Sequence, residues 1–392
     1  MKRICILLNG GIKYDQRVIK TIRALSEKFK IDLFYINGSK EDYEIFNSNV
    51  ILYNILNEQY NNLKKQILRN SFFFFEFNYF IKCVIKKNKK YDYIWCNDLP
   101  TLYPGFKLSK YYKCKLIYDS HEIFNETLNQ FFPTPRKLHH SIRLKFMQST
   151  GKIIERFLVK RINSFVTVNE SLKNYFVNAY NYVKPIHVIY NYPSNLNKMQ
   201  QTNLNIRKEL GLKKNDFVFI FQGTLNQGRG LLVMLNAFKM INDDKVKLLV
   251  AGGGPLFPDM KEFVLRNKIQ NKIILLGRIH SQNLEEYTKI ADCGINLLEE
   301  INLSKKYTTA TKMFEYFQAG LPVITSDINE NKMILAKYNV GILTKNNSED
   351  LQNKIIEMKN SPNQKDFKLN SVNAAKEYNW ENQRDQLYAI FK

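Results

Sequence analysis

The chain alternates short apolar runs with stretches of helical spacing, and it does so twice. In the first half, residues 4–8, 31–36, 93–96, 115–118, 165–168 and 187–189 form brief apolar runs, the pattern of strands buried on both faces. Residues 15–29, 102–111, 153–162 and 171–179 repeat apolar positions at the spacing of helices. Alternation of this kind implies βαβ units around a parallel sheet. Between Asn191 and Leu204 the pattern lapses into Asn, Pro, Ser and Gln, with little to bury. A second series follows, with strands expected at 217–221, 247–251, 273–276, 293–297 and 323–325 and helices at 231–241, 258–267, 283–291 and 312–319. The fold class is therefore α/β, with two Rossmann-like, doubly wound parallel-sheet domains joined by one linker. Length agrees, since 392 residues exceed one ordinary domain and suit two.

Composition adds a charge bias: 59 Lys and Arg against 36 Asp and Glu, a formal +23. Such a field attracts phosphorylated substrates, acidic lipid surfaces or nucleic acid. A chain rich in Lys, Asn, Ile and Tyr throughout accounts for the excess equally well. Cys5, Cys83, Cys96, Cys114 and Cys293 are scattered without paired spacing, which argues for reduced thiols and against a disulfide scaffold or zinc site. Residues 1–8 are too short an apolar stretch for a signal peptide and read as a first strand entering the turn Asn9-Gly10-Gly11. Nowhere do 18 uncharged apolar residues follow one another, so no membrane-spanning helix is expected.

Residues 59–90 are atypical. Phe72-Phe73-Phe74-Phe75, Phe77, Tyr79, Phe80 and Ile81 precede Lys82, Lys86, Lys87, Lys89 and Lys90. Rings beside a lysine cluster suit a helix at an anionic lipid surface. A crossover helix buried on one face, with a solvated basic end, fits the same residues. Residues 133–161, also basic with interspersed Phe and Leu, add support for the surface.

In open parallel sheets, ligands bind where loops leave the carboxyl ends of strands. That rule selects Asn9-Gly10-Gly11, Asn97-Asp98 and Asp119-Ser120-His121-Glu122 in the first half. In the second it selects residues 223–230, Gly252-Gly253-Gly254, Gly277-Arg278 and the approach to Lys312. Gly10 and Gly11 let backbone pass close to a ligand, although Gly-Gly is also an ordinary turn and the full dinucleotide fingerprint is missing. His121 stands in a dense polar cluster, where an imidazole can work on a substrate or serve structure alone. The segment Gly223-Thr224-Leu225-Asn226-Gln227-Gly228-Arg229-Gly230 offers amides, helix dipole and a guanidinium to an anion; a plain glycine turn is the other reading. Lys312 and Glu315, three apart, share one helical face, either as a phosphate cation beside a ribose carboxylate or as a surface ion pair.

With Asp15-Gln16-Arg17-Val18 and Val168-Asn169-Glu170, these pieces run in an order that resembles the retaining glycosyltransferases of the GT-B fold, in the large group 1 (family 4) class. The resemblance covers nearly the whole chain. It implies an N-terminal acceptor-side domain at 1–195, a donor-binding domain at 196–369 and an active site in the cleft between them. It also implies a C-terminal helix at 370–392 crossing back to the first domain. Carried over residue by residue, Arg229 and Lys312 neutralise the donor diphosphate and, with His121 near the reaction centre, form the catalytic set. Glu315 holds the ribose hydroxyls, Gly223 opens the diphosphate loop, Gly277-Arg278-Ile279 run beside the base, and Gly10 and Gly11 approach the diphosphate. Two positions depart from the pattern: Tyr307 replaces a glutamate and Thr224 an arginine common among relatives, which leaves the sugar open.

The implied activity is transfer of a hexose from a nucleotide-sugar to a saccharide or lipid-linked saccharide acceptor with retention of configuration. Surface polysaccharide or glycolipid assembly at the cytoplasmic face of the cell membrane is the implied setting. No Asp-x-Asp motif stands at a strand end, so a metal-independent reaction with no cofactor beyond the co-substrate is expected. Nucleic acid is not an expected partner, because no recognition signature accompanies the charge. The alternatives are a sugar-nucleotide epimerase of similar fold and a basic membrane- or polyanion-binding protein with an inactive cleft.

Overall fold

A computed structural model describes residues 1–13, 15–39, 42, 45–55, 79–132, 137–194, 204–300, 302–307 and 311–392. The chain forms two compact units, one of Met1–Asn191 with Arg384–Lys392, the other of Tyr192–Gln383. The stretch Phe72-Phe73-Phe74-Phe75 and Phe77 lies outside the described residues.

The first unit holds a seven-stranded sheet of β1 (Arg3–Leu8), β2 (Lys30–Ile36), β3 (Val50–Ile55), β4 (Tyr93–Asn97), β5 (Lys115–Ser120), β6 (Ser164–Thr167) and β7 (Ile186–Val188). The spatial order is β3-β2-β1-β4-β5-β6-β7, and every pairing is parallel. Strands β1, β4 and β5 are buried along almost their whole length, as expected where helices cover both faces. The chain's end completes this core. Phe391 packs against Phe29, Tyr93 and Trp95 with ring centroids 4.7, 5.0 and 6.0 Å away, and the Tyr388 hydroxyl donates to the Ala24 carbonyl at 2.8 Å. At the far end of the sheet from the strand-end loops, buried Asp32 accepts from Arg3, Lys89 and Tyr91, a purely structural hub.

The second unit repeats the plan with β8 (Phe217–Gln222), β9 (Val246–Ala251), β10 (Ile273–Gly277), β11 (Cys293–Asn296), β12 (Val323–Ser326) and β13 (Gly341–Thr344), ordered β10-β9-β8-β11-β12-β13 and again parallel. Its core gathers Phe219, Phe238, Leu248, Val250, Ile295, Ile324 and Ile355.

The structure differs from the sequence expectation in three places. Strands β3 and β13 were not expected; both are edge strands with a single buried residue, Leu52 and Thr344 respectively, although β3 opens with the apolar run Val50-Ile51-Leu52-Tyr53. The helix expected at 153–162 runs Leu138–Val159, with no capping side chain to mark its start. The helix expected at 370–392 is two, Gln364–Glu377 and Trp380–Ala389. Asn379 separates them: its side-chain amide donates to the Lys376 carbonyl at 2.8 Å, and its side-chain oxygen accepts from the Asn382 amide at 2.9 Å. Only Arg384–Lys392 joins the first unit. All five cysteines are free.

Candidate active site

In both sheets the chain reverses direction across one strand pair, β1/β4 in the first unit and β8/β11 in the second. The crevice beyond the strand ends at such a reversal is where open α/β sheets bind ligands. Gly10 and Gly11 follow β1, Asp98 follows β4 and His121 follows β5; Gly223 follows β8, and Lys312 and Glu315 lie on the helix Lys312–Gln318 beyond β11.

In the first unit the loops converge on one imidazole. Asp98 opens the helix Asp98–Tyr112 at φ +60°, a left-handed conformation uncommon outside glycine. From there its Oδ1 accepts from the His121 backbone amide at 2.9 Å, while its Oδ2 lies 3.4 Å from His121 Nδ1. His121 Nε2 lies 3.3 Å from Asp119 Oδ2 but without hydrogen-bond alignment to any described group. Burial favours the neutral ring, yet Asp98 and Asp119 outweigh it and raise the His121 pKa to about 9. The imidazole is a cation at neutral pH. Asp119 is itself held well below the carboxylate range: burial opposes ionisation, and Arg17, at 2.7 Å, and His121 overcome it. Arg17 also donates to the Ile189 carbonyl and is only 4% exposed, as is Asp119 at 1%. Arg17 is placed by its helix, Gln16–Ser26, which Asp15 caps by accepting from the Val18 amide at 3.0 Å.

A second buried carboxylate steadies the segment after His121. Glu155 accepts from the hydroxyls of Tyr118 and Tyr180, both at 2.6 Å, and from Asn125 Nδ2 at 3.0 Å. Burial lifts its pKa to about 7 against those hydrogen bonds. A Cβ added at Gly10 would meet nothing within 4 Å, so the loop after β1 borders open space.

The second unit brings glycine backbone together around cations. A Cβ at Gly252 would stand 1.9 Å from the Gly223 carbonyl oxygen, so the loops after β8 and β9 touch backbone to backbone. Gly230, at φ +61° and pressed against Leu297, starts the helix Leu231–Met240. Beside it, Arg229 has a buried Nε without a partner and, among the described residues, no carboxylate to pair with; burial lowers its pKa. Lys312 flanks Gly223, whose added Cβ would lie 3.7 Å from Lys312 Cε, and its ammonium lies 3.0 Å from Glu315 Oε1. Arg278 is exposed next to Gly253, a Cβ there standing 3.4 Å from Arg278 Cβ. Ile279 follows on the same loop. Thus Gly223, Gly252-Gly253-Gly254, Arg278, Lys312 and Glu315 gather at neighbouring strand ends, as do Gly10, Gly11 and His121 in the other unit.

The helix carrying Lys312 and Glu315 is fixed by Tyr316. Its ring fills the place of a side chain at Gly294, where an added Cβ would stand 2.3 Å from the ring, and its hydroxyl donates to the Ile295 carbonyl at 3.2 Å.

A Glycosyltransferase Family 4 sequence model matches residues 16–192, and a Glycosyl transferases group 1 model matches residues 202–377. The two halves are glycosyltransferase domains. Their relatives include an uncharacterized glycosyltransferase of Methanocaldococcus jannaschii, 21% identical over 247 residues, covering 61% of this chain and 58% of the relative. The alpha-monoglucosyldiacylglycerol synthase of Streptococcus pneumoniae is 30% identical over 150 residues, covering 36% of this chain and 33% of the synthase. The chain thus spans about a third to three-fifths of the length of these curated relatives. Among solved structures, Anabaena HepE in complex with UDP and glucose superposes with a TM-score of 0.76 at 15% identity, covering 100% of this chain and 99% of that one. Two parallel-sheet domains of this kind are the GT-B fold.

Sequence reasoning missed one member of the candidate site. Gln222, the last residue of β8 and buried, donates from Nε2 to Glu315 Oε2 at 2.5 Å and accepts from the Thr288 hydroxyl at 2.7 Å. The signal was a lone amide closing the run Phe217-Val218-Phe219-Ile220-Phe221. Asp98 was selected by its strand-end position, but not as the partner of His121.

Proposed function

We propose that this protein transfers a hexose from a nucleotide-sugar to a saccharide or lipid-linked saccharide acceptor with retention of anomeric configuration. One observation carries the reading: in the half matched by the group 1 family, an unpaired, half-buried Arg229 and Lys312 flank a glycine backbone cradle, with Glu315 alongside. Arg229 and Lys312 take the diphosphate, and the amides starting the helix Leu231–Met240 add positive potential. Glu315, aimed by Gln222, accepts from the ribose hydroxyls; Arg278 and Ile279 run beside the base. As the bond between phosphate and anomeric carbon breaks, negative charge gathers on the leaving oxygen, and these cations stabilise it without a divalent metal. His121, held cationic, serves as a hydrogen-bond donor to the donor sugar rather than as a base. Gly10 and Gly11 leave room for the diphosphate.

Surface polysaccharide or glycolipid assembly at the inner face of the cell membrane is the setting we favour, in keeping with the lipid-linked product named for the S. pneumoniae relative. Incubation with UDP-, GDP- and ADP-hexoses and mono- and disaccharide acceptors tests the reading, with the product anomer read by NMR. Nucleotide release with a retained anomer, undiminished by EDTA, is expected. An inverted anomer removes retention, and activity restored only by magnesium or manganese removes metal independence. An epimerised donor without acceptor favours the epimerase.

A further inference from the structure

The helix Leu138–Val159 presents an apolar row to solvent. Leu138, Ile142, Phe146, Ile153 and Phe157 are 77, 61, 53, 68 and 53% exposed. Their spacing puts all five within about 100° of one another around the helix, a single stripe. The opposite face, with Leu144, Met147, Gly151, Glu155 and Leu158, is buried in the first unit. Isolated exposed apolar residues are ordinary, but a contiguous row marks an interaction surface.

Charge says what covers it. Lys145, Lys152 and Arg156 each directly precede a member of the row, so the cations run along one flank of it. All three are exposed, and none has a carboxylate partner among the described residues. The one acid of the helix, Glu155, is turned inward and held by Tyr118, Tyr180 and Asn125, so the solvent face carries no negative charge. Beyond the helix, the Arg161 guanidinium lies 3.5 Å from the Phe157 ring centroid and adds a further cation at that end of the row. An apolar row flanked by unpaired cations fits a surface with anionic headgroups above hydrocarbon, where rings enter the interface and Lys and Arg stems reach back to phosphate.

We propose that the solvent face of the helix Leu138–Val159 docks the protein on an anionic phospholipid surface. The aromatic run of the lipid contact expected at residues 72–90 lies outside the described residues, and this face is a separate candidate for such a contact. In the described part of that stretch, the helix Tyr79–Lys86 buries Phe80 and Val84, and Lys89 is engaged by Asp32 and Tyr53. The proposal rests on the exposed face and does not depend on sugar transfer, which a soluble acceptor reports separately.

The full chain is sedimented with phosphatidylglycerol–phosphatidylcholine vesicles and with phosphatidylcholine alone. Wild type should bind the anionic vesicles and be released by salt. Reversing Lys145, Lys152 and Arg156 to Glu should lower partitioning by about a hundredfold or more. Ile142→Ser, Phe146→Ser, Ile153→Ser and Phe157→Ser together should lower it at least about tenfold. Both variants should keep the wild-type melting temperature and transfer to a soluble acceptor, because every altered side chain faces solvent. Anionic-vesicle binding unchanged in either variant overturns the proposal. So does a wild-type dimer in sedimentation velocity that the serine variant dissociates while vesicle binding persists, for then the face pairs two copies.

Discussion

At the strand ends of the first unit, His121 faces Asp98 and Asp119, and Asp119 faces Arg17. At those of the second, Arg229 has no carboxylate partner among the described residues, and Lys312 shares Glu315 with Gln222. The first cluster supplies its own counter-charges and so holds one ring in a fixed, cationic state. The second leaves positive charge beside a glycine cradle and reserves it for something anionic. The contrast separates a group built to be positioned from a surface built to be filled.

The largest expected effect comes from breaking the internal neutralisation. Asp119→Asn leaves the Arg17 guanidinium buried without its counter-ion, a situation that costs about 3–5 kcal/mol. Chemical denaturation should show that loss, whereas Arg229→Ala, removing a charge with no partner, should leave stability within about 0.5 kcal/mol of wild type. Equal losses in both would erase the distinction between the clusters.

His121 sharpens it through pH. Its folded pKa of about 9 lies above the ordinary 6.5, so the charged ring stabilises the fold. That contribution is complete below pH 6.5 and is lost as pH rises through 9. Its size is on the order of 3 kcal/mol. The difference in unfolding free energy between wild type and His121→Gln should therefore shrink across this window. A difference independent of pH would mean the ring is neutral, with Asp98 and Asp119 not acting on it.

Gln222 carries the smallest effect. Gln222→Leu removes one hydrogen bond that aims the Glu315 carboxylate, a contact the donor does not itself make. Donor KM should rise about twofold to tenfold with kcat nearly unchanged. A purely structural Gln222 would lower the melting temperature and leave KM alone.

Much of this was legible in the sequence. Strands β1, β4, β5, β8 and β9 announce themselves as apolar runs because both their faces are covered, and the strand-end rule then picks out Gly10, His121, Gly223 and Lys312. Edge strands β3 and β13 were not anticipated: β13 is only Gly341-Ile342-Leu343-Thr344, and β3, although it opens with Val50-Ile51-Leu52-Tyr53, has no glycine or proline turn directly after it to frame it as a βαβ strand. The pairings Arg17 with Asp119, Asp98 with His121 and Gln222 with Glu315 join residues 102, 23 and 93 positions apart, and no local pattern encodes them. Nor did the helix Leu138–Val159 declare which of its two apolar rows faces outward; that is settled by what the sheet covers.

The second unit is expected to bind a nucleoside diphosphate through Arg229. Isothermal titration of wild type and Arg229→Ala with UDP, GDP and ADP, with melting curves confirming that both fold, tests it most directly. One nucleotide should bind wild type, and the variant should bind it about 10- to 150-fold more weakly, the loss of one charge-assisted contact worth about 1.5–3 kcal/mol. Equal affinity in the two proteins, or no heat from any of the three nucleotides at millimolar concentration, would contradict the account.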